Sequence, residues 1–178
     1  VYTEENGLPF DYDTTMEKSI DFIKDRLKNL LIDEGYRYDI VNSVINSDDT
    51  NIFRITQRIE AVSRFVEDND EALSYFTRIN NLAKEPTLIE VNPELLENDL
   101  EKSFYETITS LKEKPLQNSE DYKEELGLIA ETQNIGNDYL DNTMINVEDE
   151  AVKNNRLAML SILANRIGKV FDISEIVR

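Results

Sequence analysis

The sequence predicts an all-α protein, a bundle of seven or eight helices. Three observations lead there. Apolar residues recur at spacings of three and four through most of the 178 residues. Gly and Pro number only 5 and 4, which favours long regular elements over many turns. No stretch sustains a period-two alternation; the one strand-like piece, residues 87–91 (TLIEV), reads as a connector.

Residues 1–13 are polar, broken by Gly7 and Pro9, and read as a linker or the remnant of a preceding domain. The helical domain then covers 14–178. Thr14 followed by Glu17 has the form of a capping box and opens the first helix. Ile20, Ile23, Leu27, Leu30 and Leu31 carry it to Gly35, a C-terminal stop. A short second helix covers about 39–45, and residues 47–50 (SDDT) break it. The third covers about 51–66, with Ile52, Ile55, Ile59, Val62 and Val66 on one face. Asn69 or Asp70 caps a fourth, which uses Leu73, Phe76, Ile79 and Leu82 and ends before Pro86.

Asn92-Pro93 reads as an N-cap with proline at the first helical position. It opens a fifth helix through Leu96, Leu100, Phe104, Ile108 and Leu111, closed by Pro115. Ser119 caps a sixth with Tyr122, Leu126 and Ile129. Gly136 precedes a seventh through Leu140 and Met144, an eighth covers about 148–170, and residues 173–177 form a short tail.

Composition narrows the chemistry. There is no cysteine and no histidine, so disulfides, thiolate metal sites and histidine-based catalysis are excluded. No apolar run approaches the roughly 20 residues needed to cross a bilayer, and no signal peptide opens the chain. A cytoplasmic location is the expectation, with no membrane partner. The chain opens on Val rather than Met and so reads as a piece of a longer protein.

The net charge is −18, from 37 acids and 19 bases, which argues against a generic nucleic-acid binder and against DNA as a partner. Residues 85–125 hold 12 acids against 4 bases and read as a solvated acidic face. Carboxylate pairs such as Glu124-Glu125 and the acids at 148–150 lack the spacing and glycine of a calcium loop.

Basic residues concentrate in two places. On the third helix, Arg54, Arg58 and Phe65 fall together beside the apolar face, an arrangement that can hold a phosphate and stack a splayed base. The plainer alternative is that these arginines pair with the abundant acids. The second place is 153–169, with Lys153, Arg156, Arg166 and Lys169 and no acid between them. A helical wheel sets Asn154, Asn155, Ser161, Asn165, Arg166 and Lys169 opposite the apolar arc and puts Arg156 within it. An arginine there needs a partner, because an isolated buried charge is too costly. An acid on a neighbouring helix, such as Asp141 or Asp149, is the expected partner; an anchor for RNA or a subunit is the alternative.

Several motifs then point to a family. Residues 139–142 (YLDN), Met144, 148–151 (EDEA) and 155–160 (NRLAML) resemble the end of the DALR-type anticodon-binding domain, in the version found in the beta subunit of bacterial glycyl-tRNA synthetase. Residues 21–27 (DFIKDRL), Gly35 and 38–44 (YDIVNSV) are similar to two earlier family segments. Residues 77–82 (TRINNL) resemble a third, with Thr77 where the family has a lysine. The resemblance runs in order from about 16 to 177. It implies a non-catalytic domain that binds the anticodon region of tRNA-Gly. The whole enzyme uses ATP and magnesium, with adenylation in a separate alpha subunit, and this fragment needs no cofactor. Its partners are then tRNA-Gly, the alpha subunit and the rest of the beta subunit. Under this resemblance the bases are read near Arg54, Arg58, Arg78, Asn155 and Arg156, with Phe65 as the stacking aromatic. A structural or docking domain with tRNA bound elsewhere is the rival reading. A free-standing carboxylate hydrolase using a divalent ion is a third.

Overall fold

The computed structural model describes residues 12–83, 90–112 and 114–177. Eight α-helices occupy them: α1 (Tyr12–Asp33), α2 (Tyr38–Ile45), α3 (Ile52–Asp68), α4 (Asp70–Leu82), α5 (Asp99–Ser110), α6 (Ser119–Glu131), α7 (Gln133–Asn142) and α8 (Glu150–Gly168). Single 3-10 turns lie at Pro93–Leu95 and Ile173–Glu175. Among the described residues there is no strand, so the all-α expectation holds. Most of the strand-like connector and both early breakers, Gly7 and Pro9, lie outside the described residues, as does Pro86.

α8 is the axis of the bundle. It packs against α4, α5, α6 and the Pro93–Leu95 turn. α3 packs on α6, α5 on α7, and α2 on α3. One core runs through all of these and includes Ile55, Ile59, Phe76, Phe104, Leu126, Met159, Leu163 and Phe171. The aromatic layer is specific: Phe65 stacks on Phe76 at 5.5 Å, and Phe104 on Tyr139 at 4.4 Å. Gly136 lies inside α7 rather than before it. It lets α7 close on α4, since a β-carbon there would sit 2.0 Å from the Tyr75 hydroxyl. Gly35 stops α1 as expected, at φ +102°, the left-handed region that favours glycine.

The helix starts differ from the sequence reading where several cap-forming residues compete. α1 is already helical at Tyr12, so Thr14 sits in its first turn rather than before it. Asn92 caps only the Pro93–Leu95 turn; its side chain accepts from the amide of Glu94. Leu96 is extended, and Asn98 then caps α5 by accepting from the amide of Glu101. The expected fifth helix is therefore two elements. Asn118, not Ser119, caps α6, and with Asp121 it completes a reciprocal capping box. Met144 lies beyond α7 and is 73% exposed.

The largest correction concerns α8. The wheel sets Asn155, Ser161 and Arg166 on an outward side, yet all three are buried. The Pro93–Leu95 turn and α6 cover Asn155 and Arg166 on the side the wheel left open, while Asn165 and Lys169 on that side stay exposed. Each buried polar group finds a partner. Asn155 accepts from the amide of Asn92 and donates to the Asn92 carbonyl. Arg166 pairs with Glu125, also buried, through Nε at 2.6 Å and Nη2 at 2.7 Å, and donates to the carbonyls of Leu111 and Lys112.

Candidate nucleic-acid interface

The six sequence-predicted contact residues separate by burial. Arg156 is a structural node. Its Nε and Nη2 donate to Glu101 Oε1 at 3.0 and 2.6 Å, Nη2 also to Glu97 Oε2 at 2.6 Å, and Nη1 to the Met144 carbonyl at 3.0 Å. Its partners are thus on and before α5, not Asp141 or Asp149. Asp141 receives Arg78, and Asp149 caps α8. Burial works against the Arg156 charge, but the carboxylates of Glu101 and Glu97 outweigh it and raise the guanidinium pKa.

Arg58 is also internal. It donates through Nε to the Val170 carbonyl at 2.8 Å and through Nη1 to Ser47 Oγ at 3.1 Å, tying α3 to the end of α8. Burial pulls its pKa down. Phe65 is 6% exposed, with its ring already stacked on Phe76, which leaves little of its face for a base. Asn155 is sealed against Asn92. Arg58, Phe65, Asn155 and Arg156 therefore form part of the scaffold.

Arg54 and Arg78 remain at the surface. Arg54 is held in a two-point bond by Asp49, at 3.0 and 2.7 Å. That contact first, then the charge itself, raises the arginine pKa and helps hold Asp49 below the usual carboxylate range. Arg78 donates to Asn137 Oδ1 at 3.1 Å and Asp141 Oδ1 at 2.7 Å. It lines a polar groove of about 430 Å³ between α4 and α7, shared with Ser74, Tyr75, Gln133 and Asn137.

The structure adds a surface that the sequence reading missed. Phe53 is 63% exposed, and Phe53, Gln57, Glu60 and Arg64 share one strip of α3 at spacings of four, three and four. Gln57 accepts from the Ser119 amide and fastens the strip to α6. Where α3 meets α6, Arg64 and Lys123 share the lining of an open cleft of about 550 Å³ with Phe65 and Gly127 and with the acids Glu67, Asp68 and Glu131. The available signal was an aromatic off the apolar face, next in sequence to Arg54. Among the described residues no acidic cluster is arranged to hold a metal ion. Glu125 is occupied by Arg166, and its neighbour Glu124 pairs with Lys114.

Comparison with known proteins gives this geometry a context. No family model matches the chain. It is 35% identical, across 99% of its length, to the glycine–tRNA ligase beta subunit of Desulforamulus reducens, and covers 26% of that protein. It is 35% identical to the beta subunit of Leuconostoc mesenteroides over 89% of the chain and 24% of the relative. The figures for a Sulfurihydrogenibium species are 32%, 90% and 24%.

Its homologues are glycine–tRNA ligase beta subunits.

The chain spans about a quarter of the length of these beta subunits. Among the described residues no helix is long and apolar enough to cross a membrane.

Proposed function

We propose that the chain is the tRNA-anticodon-binding helical domain of a glycine–tRNA ligase beta subunit, and that it supports ATP-dependent glycylation of tRNA-Gly by the whole enzyme. The observation that carries the reading is the match to beta subunits over nearly the whole chain. The chemistry fits a reader rather than a catalyst. The chain has no histidine or cysteine, and the buried pairs Arg156–Glu101 and Arg166–Glu125 are consumed in holding α8.

The RNA contact on this reading is the outer strip of α3. Single-stranded loops are recognised by stacking unpaired bases on aromatics, with cations placed for the backbone. Phe53 supplies an exposed ring; Arg54, Arg64 and Lys123 supply the cations. Arg54 and Arg64 already pair with Asp49 and Glu60. The Arg64–Glu60 pair is a weak surface pair, so a phosphate displaces that carboxylate at small cost; Arg54 exchanges its two-point bond to Asp49 for one to a phosphate, whose geometry fits the same guanidinium fork. The Arg78 groove, lined by the carboxylates of Glu71 and Asp141 as well as by amide and hydroxyl groups, offers donors and acceptors to a base edge rather than a phosphate site.

The test is tRNA-Gly binding by the chain and by its Phe53→Ala/Arg54→Ala variant. Stacking is worth roughly 1–3 kcal/mol per base, so the variant binds about tenfold more weakly while the helical fold, read by circular dichroism, is retained. Unchanged affinity would remove this strip from the interface and favour the rival reading, a docking domain with tRNA bound elsewhere.

A further inference from the structure

α1 leaves the body of the bundle. Leu31 near its C-terminal end is buried, and Leu27 and Ile32 pack against the core. Lys24 Nζ donates to the Ser47 carbonyl at 2.5 Å. Towards the N-terminal end the helix stands in solvent: Met16 is 42% exposed, Phe22 60% and Ile23 50%, and Leu30 on the outer side of the last turns is 54% exposed.

Met16, Ile23 and Leu30 are exposed and seven residues apart, and the half-buried Ile20 and Leu27 fall between them, giving spacings of four, three, four and three, the pattern of a helix–helix seam; Phe22 lies off it, under the Arg26 guanidinium. At 100° per residue the seam residues lie within an arc of about 80°. This is a stripe with a direction, not scattered surface carbon. At 1.5 Å per residue it is ~21 Å long.

We propose that this stripe is the seat on which the remainder of the beta subunit docks, through an apolar helix or groove. The proposal rests on the reading of this chain as one quarter of such a subunit. Two observations choose this occupant over a second copy of the chain. The first is length. Self-sustaining coiled coils need about three to four heptads, and this seam holds about two. A second copy must also bring together two bodies of net charge −18 each. A covalently joined segment meets the stripe at an effective concentration in the millimolar range, so a short seam suffices. The relatives supply such a segment, since about three quarters of their length lies outside the matched region.

The experiment compares hydrogen–deuterium exchange of residues 16–30 in the 178-residue chain and in the full-length beta subunit that carries it. Exchange is expected to slow at least tenfold in the full-length subunit. Ile23→Asp there should return it to the rate of the chain alone, while leaving the melting temperature of the chain unchanged because Ile23 faces water in it. Equal exchange in the two wild-type proteins overturns the proposal. So does protection that appears in the chain alone with rising concentration, which assigns the stripe to a second copy. Glycylation of tRNA-Gly by the same full-length preparation with its alpha subunit is measured in parallel. Active enzyme with an unprotected stripe defeats the docking proposal alone; a protected stripe without glycylation defeats the functional reading alone.

Discussion

Replacing Arg156 by Ala is the sharpest test of how the bundle is held. The arginine is 6% exposed and Glu101, its main partner, 0%. Four hydrogen bonds leave the guanidinium, two to Glu101, one to Glu97 and one to the Met144 carbonyl. Truncation strands the Glu101 carboxylate in the core. It keeps only the Glu97 amide at 2.9 Å and the Asn98 side-chain amide at 3.3 Å. Breaking a buried pair from one side costs about 3–5 kcal/mol. At ~2–4 °C per kcal/mol for a chain of this size, the melting temperature falls by on the order of 10 °C. Urea unfolding followed by far-UV circular dichroism measures the loss directly, with the slope of the transition checking that the unfolded state is unchanged. Arg156→Met with Glu101→Gln removes the stranded charge and keeps an acceptor for the Glu97 amide. The double variant should recover more than half of the loss. A single variant within about 0.5 kcal/mol of the parent, the range of an ordinary surface change, would refute the assignment of Arg156 to a buried pair.

The other predictions use the same logic. Gly136→Ala puts a β-carbon 2.0 Å from the Tyr75 hydroxyl and 2.5 Å from its ring; overpacking of this kind costs about 1–3 kcal/mol. Adding Tyr75→Phe should relieve only part of it, because the ring carbons still clash. Arg58→Ala should lower the melting temperature, since it removes the bond to the Val170 carbonyl; Arg54→Ala, which loses only the half-exposed bond to Asp49, should lower it less. Asp39 is raised by burial but lowered further by Arg37 and the amides of Val177 and Ile40, so its folded pKa lies below the ordinary 3.8. Its contribution is complete above that ordinary value and disappears as pH falls through the depressed one. Asp39→Asn should therefore flatten the acid limb of the stability curve and loosen Val177, which urea titrations at stepped pH read out.

Much of the fold could be read from periodicity. α3 is the clearest case: one apolar face and boundaries within two residues of those observed, though Asn51, read as its first residue, is its cap. Caps were harder. Pro93 and Ser119 are strong local signals, but the chain uses Asn98 and Asn118, whose side chains reach the amides of the following turn. The buried arginines mark the limit of a wheel. Arg156 was readable as internal because its own helix surrounds it with apolar neighbours. Arg166 was not, because α6 brings both the cover and the Glu125 carboxylate from 41 residues away. The same limit hid the exposed strip. Phe65 and Phe53 are equally aromatic in sequence; only the packing of α3 on α4 and α6 turns one inward and leaves the other in water.

The most direct measurement is the dissociation constant for tRNA-Gly, set against the same tRNA carrying a different anticodon, over a range of salt concentrations. The native anticodon is expected to bind more tightly by about tenfold or more. Affinity is expected to fall with salt, with a logarithmic slope near −2, from about three phosphate-facing cations on a single-stranded loop. Equal affinity for the two tRNAs at every salt concentration would contradict anticodon reading by this domain.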